Sequence, residues 1–167
     1  MYSVCTLIEK IIIAVRIVLK ICYYKIKYGK RISFGKNIKF RKRFIINISK
    51  DGFVKIGDNC FFNNDCSINA HKEIVIGNNN LFGENVKIYD HNHIFNDKNI
   101  DMKKNFIERK IFIGDNNWFG SNCIILSKAN IESYNVFSPN TCINEKIDSG
   151  NIVSYDIKLI KKKINYK

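Results

Sequence analysis

The 167-residue chain contains a single proline, Pro139, and nine glycines, too little material for flexible linkers or a loop-dominated fold. Its six cysteines include no C-x-x-C pair and no zinc-ligand spacing, which argues against a zinc module and against a disulfide scaffold. The one long apolar stretch is broken by Glu9, Lys10, Arg16 and Lys20, which disfavours a membrane-spanning helix. The same charges, with no small-residue cleavage site after them, disfavour a signal peptide. Histidine is scarce, at three residues. Acids are nearly missing from the first third: residues 1–55 carry 14 Lys or Arg against 2 acids, whereas residues 56–144 carry 8 against 10. The net charge of +13 therefore lies almost wholly before residue 56. A basic block of this kind suits nucleic acid, an anionic membrane or an acidic substrate.

An apolar content of 46% at this length fits one domain with a real core. The clearest order is a six-residue repeat: Ile113, Phe119, Ile125, Ile131, Phe137 and Ile143. A helix returns apolar residues at 3.6 and a half-buried strand at 2, whereas six is the short repeat of a parallel β-helix. The residue four positions on (Asn117, Cys123, Ala129, Asn135, Thr141) is smaller and should also point inward. Cys60 and Cys66 fall at the same offset, so these cysteines read as small core residues in a reducing, cytoplasmic compartment. Upstream, the repeat runs Ile32, Ile38, Phe44, slips at Lys50, and continues through Ile56, Phe62, Ile68 and Ile74. It then shifts by two to Ile76, Phe82, Ile88 and Ile94, which suggests a corner bulge. Residues 95–112 lose the period and read as an excursion. Ile113 lies 37 residues past Ile76, one more than six hexads, so the excursion is expected to replace coil rather than lengthen it. "IGDN" at 56 and 113 and "IGNN" at 76 place Gly and Asn where corners need left-handed backbone angles.

Residues 1–31 read as a basic amphipathic helix, with Leu7, Ile8, Ile11, Ile12, Val15 and Val18 recurring at three and four. Two readings stand: packing on its own core or a sister subunit, or lying in a membrane interface with Lys25, Lys27, Lys30 and Arg31 as flanks. Residues 32–154 form the repeat domain and 155–167 a basic tail.

The stretches "IGNNNLFGENVKIYDHNH" (76–93) and "IGDNNWFGSNCIILSKANIESYNVFSPNTCI" (113–143) resemble the hexapeptide-repeat acyltransferases. The resemblance implies an all-β, left-handed parallel β-helix, usually assembled as trimers, and within the family it points to the sugar and polysaccharide O-acetyltransferases. It further implies acetyl-CoA as co-substrate, a sugar or polysaccharide acceptor and no metal. On that resemblance His93 falls at the catalytic histidine, Trp118 at the signature tryptophan, and Ser121 at a residue lining the thioester. Pro139 and Asn144 fall along the pantetheine arm, Lys158 and Lys161 near the nucleotide phosphates, and Asn63 at the acceptor, with His91 in a supporting or acceptor-contacting role. The chain departs from the family at "SPNT" (138–141), where G-A-G-S is usual, and at "SYD" (154–156), where G-x-P is usual.

Acetyl transfer to a hydroxyl needs a base of pKa near neutrality, such as an imidazole at roughly 6.5, and N–H donors for the oxyanion. No Ser or Cys sits in a nucleophile setting, so direct transfer is expected. Asp90 reads equally as a corner cap or an electrostatic partner, and His71 as a surface residue. Two other classes compete: a γ-type carbonic anhydrase, which needs three histidines converging on zinc from neighbouring subunits, and a basic nucleic-acid-binding scaffold, for which no recognition motif is present. The first is awkward because His71 lies twenty residues from His91, read as more than a full coil.

Overall fold

The computed structural model describes residues 2–94, 101 and 103–155, with the side chains of residues 2–5 excepted. Lys158, Lys161 and most of the basic tail lie outside the described residues. The repeat region is a three-faced parallel β-solenoid preceded by one long helix, α1 (Tyr2–Tyr28). The first face stacks strands Ile32–Phe34, Phe53–Ile56, Glu73–Ile76, Ile111–Ile113, Asn130–Ile131 and Lys146–Ile147. The second face stacks Lys39–Phe40, Phe61–Phe62, Leu81–Phe82, Trp118–Phe119, Val136–Phe137 and Ile152–Val153. The third stacks Ile45–Ile48, Ser67–Ala70, Lys87–Tyr89, Ile124–Ile125 and Cys142–Ile143.

Pairing puts one apolar column inside each face. The first face contributes Phe34, Ile56, Ile76, Ile113, Ile131 and Ile147. The second contributes Phe40, Phe62, Phe82, Phe119, Phe137 and Val153. Within it, the rings from Phe62 to Phe137 lie 4.5–4.9 Å apart and within 4° of parallel. The third contributes Ile46, Ile68, Ile88, Ile125 and Ile143. The expected tight inward positions are all buried, from Asn117 and Cys123 through Ala129 to Asn135 and Thr141.

In every coil the stacked residue of the first face is followed six later by that of the second, and where the third face continues, six later again. All variation falls at the third corner. It takes ten residues from Ile46 to Ile56, eight from Ile68 to Ile76, twenty-five from Ile88 to Ile113, six from Ile125 to Ile131 and four from Ile143 to Ile147. The slip at Lys50, the two-residue shift at Ile76 and the excursion are therefore one phenomenon at one edge.

Three expectations need correction. In the first coil the stacked residues are Phe34, Phe40 and Ile46, two later than the frame Ile32, Ile38 and Phe44. Ile38 and Phe44 are also buried, but at corners later filled by Cys60 and Cys66, so apolar character alone could not separate the two positions. Ile94 is not in the stack. Its strand has already left the solenoid as Asp90 takes the inward place that Ile48 and Ala70 hold below it. The excursion replaces no coil either, because Ile113 pairs directly with Ile76 and all three faces are complete on both sides of it.

The corner chemistry divides between two residue types. Positive φ angles occur one residue before each buried corner, at Asn37, Asn59, Asn79, Asn116 and Tyr134 on one edge and at Arg43, Asp65, Asn85, Asn122 and Asn140 on the next. The repeat glycines do not have positive φ. They are needed for close stacking: a Cβ on Gly57 would sit 2.5 Å from the Gly77 carbonyl oxygen.

Helix α1 lies along the open end of the solenoid. The Tyr24 hydroxyl donates to the Phe44 carbonyl at 3.3 Å and accepts from the Ile46 N–H at 3.0 Å. The Tyr28 hydroxyl donates to the Ile46 carbonyl at 3.0 Å. The preceding turns present Leu7, Ile11, Ile12, Val15, Val18 and Leu19 to solvent. No helix among the described residues is long and apolar enough to cross a membrane.

Candidate active site

The site begins at the variable edge, where the third face ends in a buried acid. Asp90 is fully buried, and its two carboxylate oxygens accept the backbone N–H groups of His71 and Lys72, each at 2.7 Å. It is thus a cap on the coil below, and it is also a partner, because the Nδ1 atom of His91 lies 3.1 Å from Oδ1. From there the chain turns outward into an antiparallel pair, His91–His93 against Phe106–Glu108.

The two histidines differ in setting. His91 is largely enclosed, its ring stacked on His71 at 3.6 Å between centroids. His71 in turn approaches Glu108, Nδ1 to Oε1, at 3.4 Å. Twenty residues is one coil here, not more than one, so His71 is a packed neighbour of His91 rather than an isolated surface residue. The third imidazole, His93, is exposed and rests against Phe106, with centroids 4.6 Å apart. His93 and His91 share a cleft of about 640 Å³ with Arg109, Lys128 and Asn144. No motif points to Arg109 or Lys128; their signal is only that both flank the edge where length varies. Among the described residues no group of three His, Cys, Asp or Glu side chains of one chain has a metal-holding arrangement.

A second cleft, of about 420 Å³, runs along the outer surface of the second face and joins Asn63, Trp118, Ser121 and Pro139. Trp118 is 53% exposed, flanked by Leu81 and Val136 on the neighbouring coils. Asn63 turns its side-chain oxygen to the Asn64 N–H at 2.9 Å. Asn144 lies in the histidine cleft and not beside Pro139.

Ser121 owes its availability to the corner rule. Along the first corner, each coil's N–H is taken by a side-chain oxygen of the next: Lys36 by Asp58, Asp58 by Asn78, Asn78 by Asp115, Asp115 by Ser133 and Ser133 by Ser149, at 2.6–3.3 Å. The second corner starts the same way, with Lys42 donating to Asn64 Oδ1 at 3.1 Å. There the ladder stops. Glu84 uses its carboxylate to accept from Asn64 Nδ2, and Pro139, which stacks on Ser121, has no side-chain acceptor. The Ser121 N–H donates to nothing among the described residues. A half-exposed, unpaired N–H on a rigid corner can receive a developing oxyanion without first breaking a bond.

In one chain, then, His91, His93 and Asn144 occupy one cleft, and Asn63, Trp118, Ser121 and Pro139 another. Several solved structures share the architecture. A hexapeptide-repeat acetyltransferase of Vibrio cholerae O1 biovar eltor, complexed with acetyl coenzyme A, matches with a TM-score of 0.62 at 21% identity, over 70% of this chain and 62% of that one. The fold is that of the hexapeptide-repeat acetyltransferases. A maltose O-acetyltransferase from Clostridium difficile 630 matches at 0.58 with 26% identity, over 80% of this chain and 67% of that one. A galactoside acetyltransferase in complex with coenzyme A matches at 0.54 with 21% identity, over 77% and 72% respectively. The chain spans about 62% of the length of the Vibrio hexapeptide-repeat acetyltransferase. No protein-family model and no curated protein sequence matches it.

Proposed function

We propose that the protein is an acetyl-CoA-dependent O-acetyltransferase acting on a sugar hydroxyl of a bacterial surface polysaccharide or its precursor. The observation that carries this reading is the pair of complementary half-sites: an exposed imidazole in one cleft, and a free N–H beside Trp118 in another. The likeness to a maltose O-acetyltransferase supports the acceptor class, and the complexes of two neighbours with acetyl coenzyme A or coenzyme A support the donor. Because the half-sites lie in separate clefts of one chain, the working site forms between copies, in a cyclic homotrimer. Peripheral attachment to a membrane through α1 belongs to the same reading.

In this mechanism the acceptor oxygen attacks the thioester carbon while His93 takes the hydroxyl proton. The tetrahedral oxyanion is held by the Ser121 N–H. Collapse breaks the C–S bond, and the coenzyme A thiolate leaves with the proton returned from the imidazolium. Pro139 and Trp118 line the pantetheine arm. Asn63 and His91 meet the sugar and Asn144 sits at the junction; the family resemblance assigns Lys158 and Lys161, outside the described residues, to the nucleotide phosphates.

The test is thiol release from acetyl-CoA across a panel of sugars, with His93→Ala and Ser121→Pro as inactive partners. Proline already occupies the equivalent corner one coil on, so Ser121→Pro removes the N–H while keeping the turn. Co-assembled in equal amounts, the two inactive chains should recover about a quarter of native activity, because random trimers retain that share of intact interfaces. No recovery in verified mixed trimers refutes the shared site.

A further inference from the structure

Between α1 and the first coil lies a cleft of about 450 Å³ that the reaction does not use. Its walls are apolar, from Ile13 and Ile17 on the helix and Phe40 and Phe61 on the second face. Its rim carries four cations: Arg16, Lys39, Arg41 and Lys42. Arg41 stands 5.8 Å over the Phe61 ring. Among the described residues no carboxylate is ion-paired with any of the four, although Arg43 next door is held by Asp65. Lys20 adds a fifth charge behind them, and burial followed by the nearby Arg16 pushes its pKa down. Four like charges at one rim repel each other, so the site is relieved by an anion.

The exposed apolar turns of α1 begin at this rim. From Leu7 to Leu19 they form a continuous surface, with Leu19 64% and Ile12 60% exposed. A second copy of α1 is a poor occupant: the helix has one acid, Glu9, against Lys10, Arg16, Lys20, Lys25 and Lys27, so pairing would set cation against cation. An anionic bilayer satisfies both halves, taking the apolar turns into its acyl boundary and a phosphate into the cleft.

We infer that this cleft binds the phosphate of an anionic lipid, with α1 as the adjoining bilayer contact. The site names the lipid ligand behind the membrane attachment suggested above, and it stands whether or not the chain transfers acetyl groups. The cleft and the groove of Trp118 and Ser121 share Phe61.

The test is co-sedimentation of the full chain with vesicles of phosphatidylcholine alone and of equal parts phosphatidylcholine and phosphatidylglycerol. Calorimetry with inorganic phosphate runs beside it. The double variant Arg41→Gln/Lys42→Gln is compared with Lys103→Gln/Lys104→Gln, which removes the same charge from the excursion. Circular dichroism confirms that both fold. Binding to the anionic vesicles should fall about thirtyfold in the cleft variant, at about 1 kcal/mol for each cation near the surface, and much less in the control. Equal losses in both variants, equal binding to neutral vesicles, sedimentation without vesicles, or saturation by inorganic phosphate with no vesicle binding each overturns the inference. Thiol release with a soluble sugar is measured on the same variants; its loss in every form, with vesicle binding intact, counts against the transferase reading and not against this one.

Discussion

Replacing Pro139 with Asn should restore the broken ladder at the second corner and slow the reaction without loosening the fold. Asn64 shows the geometry: its Oδ1 accepts the N–H one coil below at 3.1 Å, from the same turn position that Pro139 occupies three coils later. An Asn at 139 would accept from Ser121 N–H in the same way. The new hydrogen bond is worth about 1 kcal/mol net. That amount must be surrendered before the N–H can serve the oxyanion, so kcat should fall about fivefold. Ser121→Pro abolishes the donor outright and should cost about 10²–10³ in kcat. Stability should barely move in Pro139→Asn, since the gained bond offsets the roughly 0.4–1 kcal/mol of unfolded-chain entropy lost with proline. The assay is steady-state thiol release with saturating acetyl-CoA, alongside a thermal melt. An unchanged kcat for Pro139→Asn refutes the argument, as does a drop matched by a fall in Tm, because either outcome means that the N–H is not the reactive donor.

Phe119→Ala removes the middle of the aromatic column, between Phe82 at 4.9 Å and Phe137 at 4.6 Å, and should cost about 3–5 kcal/mol in denaturant unfolding. Tyr134 holds a φ of 64° at a corner where Asn37, Asn59, Asn79 and Asn116 are the usual occupants, so Tyr134→Asn should raise stability by about 1 kcal/mol on the same assay. Burial pushes the Cys66 thiol up to about 11, and raises Cys60 and Cys123 as well. At neutral pH these three should resist a thiol-specific chromophoric reagent that reacts with exposed Cys22. The folded state keeps the Cys66 proton that the unfolded chain loses near its ordinary value of about 9, so stability should decline from there through about pH 11 and be unaffected by this group below.

The three-sided coil was legible because its two regular corners enforce six residues with no exception, and Ile113 to Ile143 crosses them in an unbroken run. What failed was the first coil and the third corner. Corner and stack positions are both buried, two apart, and in coil one Ile38 and Phe44 are as apolar as Phe40 and Ile46. The pairing of His71 with His91 is hidden instead by the third corner, which lengthens this coil to twenty residues where the repeat suggests eighteen. Ser121 is legible only through the family resemblance, yet the unpaired N–H has a plain residue-level cause in Pro139, visible once the corner register is known. That one chain splits the candidate residues between two clefts could not be read from spacing, since it depends on which face each residue lines.

The uneven third edge has a practical corollary. Two sides of the prism are locked in length, whereas the remaining vertex accommodates anything from a four-residue hop to a twenty-five-residue detour without disturbing the rungs on either side. Foreign peptides grafted between Lys50 and Asp51, exposed at this edge and outside both clefts of the candidate site, should therefore be carried as passengers.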